Sequence, residues 1–266
     1  MVKTGFAEVN DTRLYYEMVG RGHPLVLVHG WGFDTRMWDD QFEAFAKRFK
    51  VMRYDIRGFG KSAPPTIGKE YSHTKDLKAL LNQLGIDHAY LIGLSMGGYI
   101  ALDFTIEYPE MTKALILVDS TIGGFQWSKT WSELWKSIWK EAKKESVKAA
   151  KDLELKATFF EPALEKPDVA FRLKQMVSDY SGWHFVNTDP LRSLDPPAID
   201  RLQEIRVPTL IIIGERDLPD FHMIADILNK KIQNSKRITL KRAGHVSCME
   251  TPKEFNQAVS RFLDNV

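Results

Sequence analysis

The stretch AYLIGLSMGG, residues 89–98, combines a short apolar run with a glycine–serine turn. Its centre, Gly93 to Gly97, fits the pattern G-x-S-x-G, and a helical pattern follows from Met96 to Glu107. In such a setting the glycines let the backbone turn sharply, so that Ser95 stands at the carboxyl end of a strand. The following helix then directs the positive end of its dipole towards the serine. The stretch therefore predicts a nucleophilic serine at the edge of a sheet.

Short apolar runs recur on both sides of this stretch. Most are rich in valine and isoleucine and do not alternate with polar residues, which is typical of strands buried on both faces of a parallel sheet. We predict strands at Leu14–Val19, Leu25–Val28, Val51–Tyr54, Ala89–Ile92, Ala114–Val118, Thr209–Ile213 and Ser235–Leu240. Helical patterns alternate with these runs, at Trp38–Phe49, Ser72–Leu84, Met96–Glu107, Phe221–Ile232 and Pro252–Leu263. The alternation predicts a mostly parallel α/β sheet covered by helices.

The alternation of strands and helices stops between about Ser120 and Ile205. This segment is rich in helical patterns and lacks strand-like apolar runs. It begins near Gly123-Gly124 and ends near Pro196-Pro197, where such residues favour turns. We interpret residues 121–205 as a helical cap, inserted into a core domain that is formed by residues 1–120 and 206–266.

Composition and charge narrow the classes of function. The chain has 266 residues, 44% of them hydrophobic and 27% charged, which is ordinary for a globular protein. A formal net charge of +2 is too small to favour nucleic acid or an anionic membrane as the main partner. No stretch approaches the roughly 20 apolar residues of a membrane span, and the N-terminus lacks a signal-peptide run. With Cys248 as the single cysteine, no intrachain disulfide is possible, and we expect a cytoplasmic protein.

A serine hydroxyl needs a base to become a nucleophile, and the base needs an acid that orients it. His245 follows the last predicted strand and Asp217 follows the strand before it, so both lie at the same sheet edge as Ser95. Asp119, after an earlier strand, is a second candidate for the acid. We favour Asp217 because a glycine turn beginning at Gly214 leads to it.

The segment His29-Gly30-Trp31-Gly32 follows an earlier buried strand. Its two glycines allow a tight backbone that aims the Trp31 N–H at a substrate oxygen, with the N–H of Met96 as a second donor. Each such donor stabilises a tetrahedral oxyanion by about 3–4 kcal/mol. His29 is either a second candidate for the base or a structural residue that holds the loop, and we favour the structural role.

Nucleotide and metal chemistry are not indicated. Gly60-Lys61-Ser62 imitates the end of a phosphate-binding loop, but the first glycine of that pattern would stand at residue 55, which is Asp55. No spacing of histidine, cysteine and carboxylate residues suggests a metal site. We therefore expect chemistry that uses no cofactor.

Taken together, these motifs resemble those of the α/β-hydrolase superfamily over nearly the whole chain. Asp55 to Ser62, DIRGFGKS, is similar to the family turn D-x-R-G-x-G-x-S, and Gly244-His245 followed by Glu250-Thr251-Pro252 is similar to its closing motif. The resemblance implies an α/β-hydrolase fold with a mostly parallel eight-stranded sheet, flanking helices and an inserted helical cap. It also implies five site residues: the nucleophile Ser95, the acid Asp217, the base His245 and the oxyanion donors Trp31 and Met96.

The resemblance narrows the reaction further. In the related haloalkane dehalogenases and epoxide hydrolases the nucleophile position is occupied by aspartate, so Ser95 argues against both classes. Ser178 to His184, SDYSGWH, looks like small bacterial carboxylesterases and 3-oxoadipate enol-lactonase-type hydrolases. We expect hydrolysis of small, mostly uncharged carboxylic esters through an acyl-enzyme. The alternatives are a lactonase, a carbon–carbon bond hydrolase and, outside enzymes, a ligand receptor of the same fold.

Aromatic residues of the predicted cap are candidates for the substrate pocket. Four tryptophans recur every fourth residue and form one apolar stripe, at Trp127, Trp131, Trp135 and Trp139. We favour internal packing for most of them and assign Trp135 to the pocket. Trp183 and His184 are open between packing and substrate binding, and both are kept as candidate substrate-binding residues.

Overall fold

The computed structural model describes residues 1–266 and contains one eight-stranded sheet. Its strands are β1 (Lys3–Val9), β2 (Thr12–Val19), β3 (Pro24–Val28), β4 (Lys50–Tyr54), β5 (Ala89–Leu94), β6 (Thr112–Val118), β7 (Thr209–Gly214) and β8 (Ser235–Leu240). They lie in the order β1-β2-β4-β3-β5-β6-β7-β8. Strand β2 pairs antiparallel with β1 and β4, and all other pairs are parallel. This sheet confirms the predicted fold class.

Helices cover both faces of the sheet, and five more lie between β6 and β7. They are α1 (Asp39–Ala46), α2 (His73–Gln83), α3 (Met96–Glu107), α4 (Lys129–Lys144), α5 (Val147–Glu154), α6 (Glu161–Leu164), α7 (Pro167–Asp179), α8 (Trp183–Val186), α9 (Pro219–Lys231), α10 (Ser247–Glu250) and α11 (Pro252–Leu263). None of these helices has the length and apolar character that crossing a membrane requires.

Alternate residues of each central strand enter two separate cores. Val26 and Val28 of β3 belong to a cluster of 41 buried residues that includes the inner faces of α2, α3 and α9. Leu25 and Leu27 belong to a cluster of 32 buried residues with α1 and α11. This division follows from the two-residue repeat of a strand, and it explains why the central strands are apolar at nearly every position.

Strand β1 is the one strand that the sequence patterns do not predict. Its residues are mostly exposed, and only Ala7 and Val9 are buried. It is joined to β2 by Asn10 and Asp11, which both have positive φ, at 45° and 56°. Such a two-residue turn favours hairpins, so β1 is set by the turn and by β2 rather than by an apolar run of its own.

The chain between Val118 and Thr209 adds no strand to the sheet and forms α4 to α8 instead, where the sequence predicts helices. We call residues 121–205 the helical insertion. Ser128 caps α4 by accepting from the Trp131 N–H at 3.2 Å, and its hydroxyl donates to Asp220 at 2.6 Å. This second bond ties α4 to α9. Trp127 precedes the first residue of α4, so three of the four striped tryptophans lie on the helix.

The turn between β5 and α3 is the tightest feature of the sheet edge. Its one residue, Ser95, has φ 53° and ψ −114°, a conformation that costs free energy for any residue with a side chain. Neighbouring backbone approaches very closely: a Cβ atom on Gly97 would collide with the carbonyl oxygens of Val28 and His29, and one on Gly93 would collide with that of Gly97. Glycine is therefore required at both positions because the neighbouring backbone leaves no room for a Cβ atom, and not only because of its conformational freedom.

Adding a methyl group at this contact should destabilise the fold. Gly97→Ala is expected to lower the free energy of unfolding by about 3 kcal/mol or more, because rigid backbone cannot yield to the Cβ atom. Gly68→Ala is the control, since Gly68 has φ +75° but nothing within 4 Å of an added Cβ. That variant should lose only about 1–2 kcal/mol from the backbone conformation. Urea unfolding compares them, and equal losses would contradict the steric explanation.

Candidate active site

Ser95, His245 and Asp217 lie together where three strands end. The Ser95 hydroxyl donates to Nε2 of His245 at 3.0 Å, and Nδ1 of His245 donates to Oδ2 of Asp217 at 2.9 Å. The other oxygen of Asp217 accepts from the Leu218 N–H at 2.7 Å, which fixes the carboxylate. This network assigns the Nδ1–H tautomer to the histidine and leaves Nε2 free to take the serine proton. The arrangement has the geometry of a nucleophile, a base and an orienting acid.

Glu250 holds the backbone on both sides of His245. Its carboxylate accepts from the Gly244 N–H at 2.8 Å and from the Val246 N–H at 3.1 Å. Burial raises the pKa of Glu250. The hydrogen bonds from the two peptide N–H groups oppose that shift, because they favour the charged form of the carboxyl. The closing motif of the sequence therefore acts on the histidine through the peptide groups beside it.

Asp119, the second candidate for the acid, forms no hydrogen bond or ion pair with His245. Its carboxylate accepts from the Gly214 N–H at 2.7 Å, and from the N–H and hydroxyl of Ser247 at 3.2 and 2.6 Å. Burial and the nearby charge of Asp217 raise its pKa well above the ordinary value. Asp119 thus joins the loop after β7 to the loop after β8, and these loops carry the acid and the histidine.

The two expected oxyanion donors face the same cavity as the serine. Trp31 and Met96 both line it together with Ser95. The Trp31 N–H donates to no backbone carbonyl, and the N–H of Met96, the first residue of α3, has no partner within its helix. Both groups are therefore available to an oxygen of a bound molecule, and their assignment stays a prediction.

His29 is fully buried behind this loop. Its Nδ1 lies 2.8 Å from the Gly30 carbonyl oxygen, and Nε2 accepts from the Ile56 N–H at 3.0 Å. Burial lowers its pKa to about 4. Both ring nitrogens are occupied by backbone, which agrees with a structural role and not with a general base.

The motif DIRGFGKS connects loops and does not face the serine. Asp55 accepts from the Thr35 N–H at 2.7 Å and from the Lys61 N–H at 2.8 Å, and burial raises its pKa to about 6. Arg57 forms a bidentate ion pair with Asp76 at 2.7 Å, with 4% of each side chain exposed. The motif therefore fixes the position of the loop that follows Trp31.

A cavity of about 520 Å³ opens onto the serine and histidine. It is mainly apolar, with 15 hydrophobic residues among the 24 that line it, and no lysine or arginine is among them. Five tryptophans contribute to its wall: Trp31, Trp127, Trp131, Trp135 and Trp139. This composition suits an apolar or aromatic molecule whose orientation is set by a few polar groups.

The striped tryptophans serve packing and the cavity at once. The rings of Trp127 and Trp131 stack at 4.6 Å, while Trp135 and Trp139 approach Trp31 edge-on at 5.6 and 5.9 Å. All four striped residues also line the cavity, and each is half-buried. The expectation that most of them only pack the insertion is therefore corrected. The four-residue spacing in the sequence predicts one apolar face, but it does not show that part of this face borders a cavity.

Trp183 and His184, the other two candidate substrate-binding residues, do not line this cavity. His184 bonds through Nδ1 to the Tyr180 hydroxyl at 2.7 Å and stacks on Phe59 at 4.7 Å, and burial lowers its pKa to about 4. Trp183 packs against His184 with ring centroids 5.0 Å apart. The ring of His184 also lies 5.2 Å from that of Trp31, so His184 packs behind one wall of the cavity.

Sequence reasoning missed two buried carboxyl groups that line the cavity, Glu154 and Asp103. Glu154 is 1% and Asp103 3% exposed, and burial raises their pKa values to about 8 and about 7. A signal for Glu154 exists, because it follows Ala150 by four residues on the buried face of α5. The lysine residues on the opposite face obscure this signal, because a lysine-rich segment predicts a helix that is exposed to solvent.

Comparisons with known proteins identify the family and the fold. The family model for the alpha/beta hydrolase fold matches residues 23–252, so the chain belongs to this family, whose fold implies a small-molecule substrate. It is 26% identical to the AB hydrolase superfamily protein YisY of Bacillus subtilis, covering 95% of this chain and 96% of that protein. The structure superposes on the enol-lactonase of Burkholderia xenovorans LB400 with TM-score 0.81 and 26% identity, covering 98% and 100% of the two chains. A thermophilic esterase from Thermogutta terrifontis gives TM-score 0.79 and 25% identity, covering 99% and 98%.

The two buried aspartates should respond differently to loss of charge. Asp217→Asn is expected to lower kcat by about 10²–10⁴ without unfolding the protein, because the histidine loses its orienting acid. Asp119→Asn should keep kcat within about tenfold while losing about 1–3 kcal/mol of stability, because its amide cannot accept all three bonds. Steady-state kinetics and urea unfolding of both variants separate these effects. A larger loss of kcat in folded Asp119→Asn would reverse the assignment.

Proposed function

We propose that this protein is a serine hydrolase that cleaves small carboxylic esters through an acyl-enzyme. The observation that carries the proposal is the hydrogen-bonded chain from Ser95 through His245 to Asp217 at the mouth of an apolar cavity. Ser95 Oγ attacks the ester carbonyl while Nε2 of His245 takes its proton, and the same proton passes to the leaving alcohol. Water, deprotonated by His245, then attacks the acyl carbon and releases the acid, with Ser95 regaining its proton.

The tetrahedral intermediates carry a negative oxygen, which needs donors that are already in position. The peptide N–H groups of Trp31 and Met96 supply them in this proposal. Their loops are fixed by buried contacts, so little reorganisation is needed when the charge develops. The N-terminus of α3, which begins at Met96, adds its dipole in the same direction.

The helical insertion acts in this proposal as the cap of the core formed by residues 1–120 and 206–266. Support comes from its four tryptophans, which form a wall of the cavity that contains Ser95. The insertion therefore selects the substrate, while the core supplies the reacting groups.

The charge of the cavity disfavours esters that carry a negative charge. A carboxylate on a substrate would meet no lysine or arginine among the lining residues, and it would lie near the carboxyl groups of Glu154 and Asp103. Lactones are the second candidate, because the structurally similar Burkholderia protein is an enol-lactonase. The remaining alternatives are a carbon–carbon bond hydrolase with the same triad and a receptor that turns over once. Neither would hydrolyse simple esters with repeated turnover.

Removing the nucleophile tests the reaction. Ser95→Ala should lower kcat on p-nitrophenyl acyl esters by about 10⁴–10⁶, because the triad acts as a unit. Lactones are assayed in the same panel to separate the first two candidates. Ser137→Ala, on an exposed face of α4, is the matched control and should retain full activity. A folded Ser95→Ala protein that keeps a tenth of the wild-type rate would rule the mechanism out.

Removing one cavity wall tests the role of the insertion. Trp135→Ala should move the preferred acyl chain towards greater length, because it enlarges the space beside Trp31. Trp183→Ala is the control, since Trp183 is a tryptophan of the same insertion that does not line the cavity. Its chain-length profile should match that of the wild type. Profiles of kcat/KM over p-nitrophenyl acetate to decanoate decide, and parallel changes in both variants would contradict the proposed wall.

A further inference from the structure

Glu154 is a buried acid whose partner is missing from the chain. Its side chain lines the cavity, yet Oε2 is shielded from solvent and has no hydrogen-bond partner. The nearest cation on its helix, Lys151, donates instead to the carbonyl oxygens of Ser178 and Tyr180. No ion pair or hydrogen bond of the protein satisfies the Glu154 carboxyl.

A carboxyl group in this position is costly to the fold. Burying it without a partner costs free energy and raises its pKa to about 8, so the group is mostly protonated at pH 7 until a bound cation favours its charged form. An apolar residue at the same place on α5 would pack beside Ala150 without that cost. The group is therefore explained better by a molecule that enters the cavity than by the stability of the helix.

The surroundings of Glu154 favour a positively charged molecule. Its Oε1 atom lies 3.5 Å from the place a Cβ atom on Gly32 would occupy, so the carboxyl stands beside the Trp31 loop. Trp31 packs edge-on against Trp135 and Trp139 at 5.6 and 5.9 Å, and all three line the same cavity as Glu154. Aromatic faces bind alkylammonium groups, and tryptophan does so best. No lysine or arginine lines the cavity to compete for either the faces or the carboxyl.

We propose that the cavity binds esters that carry an alkylammonium group, with Glu154 as counter-ion and the tryptophan wall around the cation. The inference rests on the proposed ester hydrolysis and names its substrate class. Asp103 is a second buried carboxyl group of the same cavity, and a bound cation would favour its charged form as well. A neutral ester enters the same cavity but leaves the Glu154 carboxyl without a partner.

Two esters of nearly equal shape test the inference. Choline butyrate and 3,3-dimethylbutyl butyrate differ in having a quaternary nitrogen or a quaternary carbon at the same position. The wild-type kcat/KM should be at least about tenfold higher for the choline ester, the scale of a desolvated cation–π contact with an ion pair. Glu154→Gln keeps the shape, and it should lose most of this preference because its kcat/KM falls much further for the choline ester than for the neutral ester.

Asp152→Asn is the matched control, because Asp152 is exposed on the same helix and pairs only with Lys148 at the surface. It removes the same charge and should keep the full preference. A wild-type enzyme that does not prefer the choline ester would overturn the inference, as would a Glu154→Gln variant that prefers it as strongly as the wild type does. Retained preference in Asp152→Asn excludes a general charge effect.

Failure of the reaction is kept separate from failure of the inference by a binding measurement. Choline and 3,3-dimethylbutanol are titrated against tryptophan fluorescence in the wild type and Glu154→Gln. Choline should bind the wild type more tightly than the alcohol does, and Glu154→Gln should lose most of this difference. If neither ester is hydrolysed, the proposed function fails while this comparison still decides on the cation site. Equal binding of choline by both proteins would refute the site directly.

Discussion

The backbone of Ser95 is the constraint on which the rest of the site depends. A residue with a side chain is held at φ 53° because β5 and α3 approach β3 so closely that Gly97 has no room for a Cβ atom. This packing places the serine hydroxyl beyond the strand and the N-terminus of α3 behind it. The hydroxyl then faces the cavity and lies 3.0 Å from Nε2 of His245. The close packing of these elements thus fixes the position of the Ser95 hydroxyl oxygen.

The acid and the histidine lie on two loops that the core also fixes. Asp119 bonds to both loops, and Glu250 bonds to the peptide groups on either side of His245. Neither carboxylate touches the serine. They are positioning residues, and substituting either one is expected to lower the free energy of unfolding because both are buried. The segments that carry Asp217 and His245 are therefore held before a substrate binds, as the proposed mechanism requires for electrostatic stabilisation of a transition state.

Local sequence patterns predict the parts of this molecule that short segments determine. The buried strands, the elbow at Ser95 and the order of the three site residues follow from apolar runs and glycine turns. Strand β1 escapes prediction because its pairing with β2 decides its structure. Trp183, His184 and Glu154 escape for a related reason: whether a side chain faces the cavity or the core depends on how the insertion packs, and periodicity along one helix does not contain that information.

The central claim is that Ser95 is an activated nucleophile, and covalent labelling by a fluorophosphonate tests it most directly. The reagent reacts with a serine whose proton is taken by a neighbouring base and whose oxyanion is stabilised. The account predicts one adduct per chain, located by peptide mass spectrometry on Ser95, and almost no labelling in His245→Ala. A wild-type protein that remains unlabelled, carries the adduct on another residue, or labels as fast without His245 would contradict it.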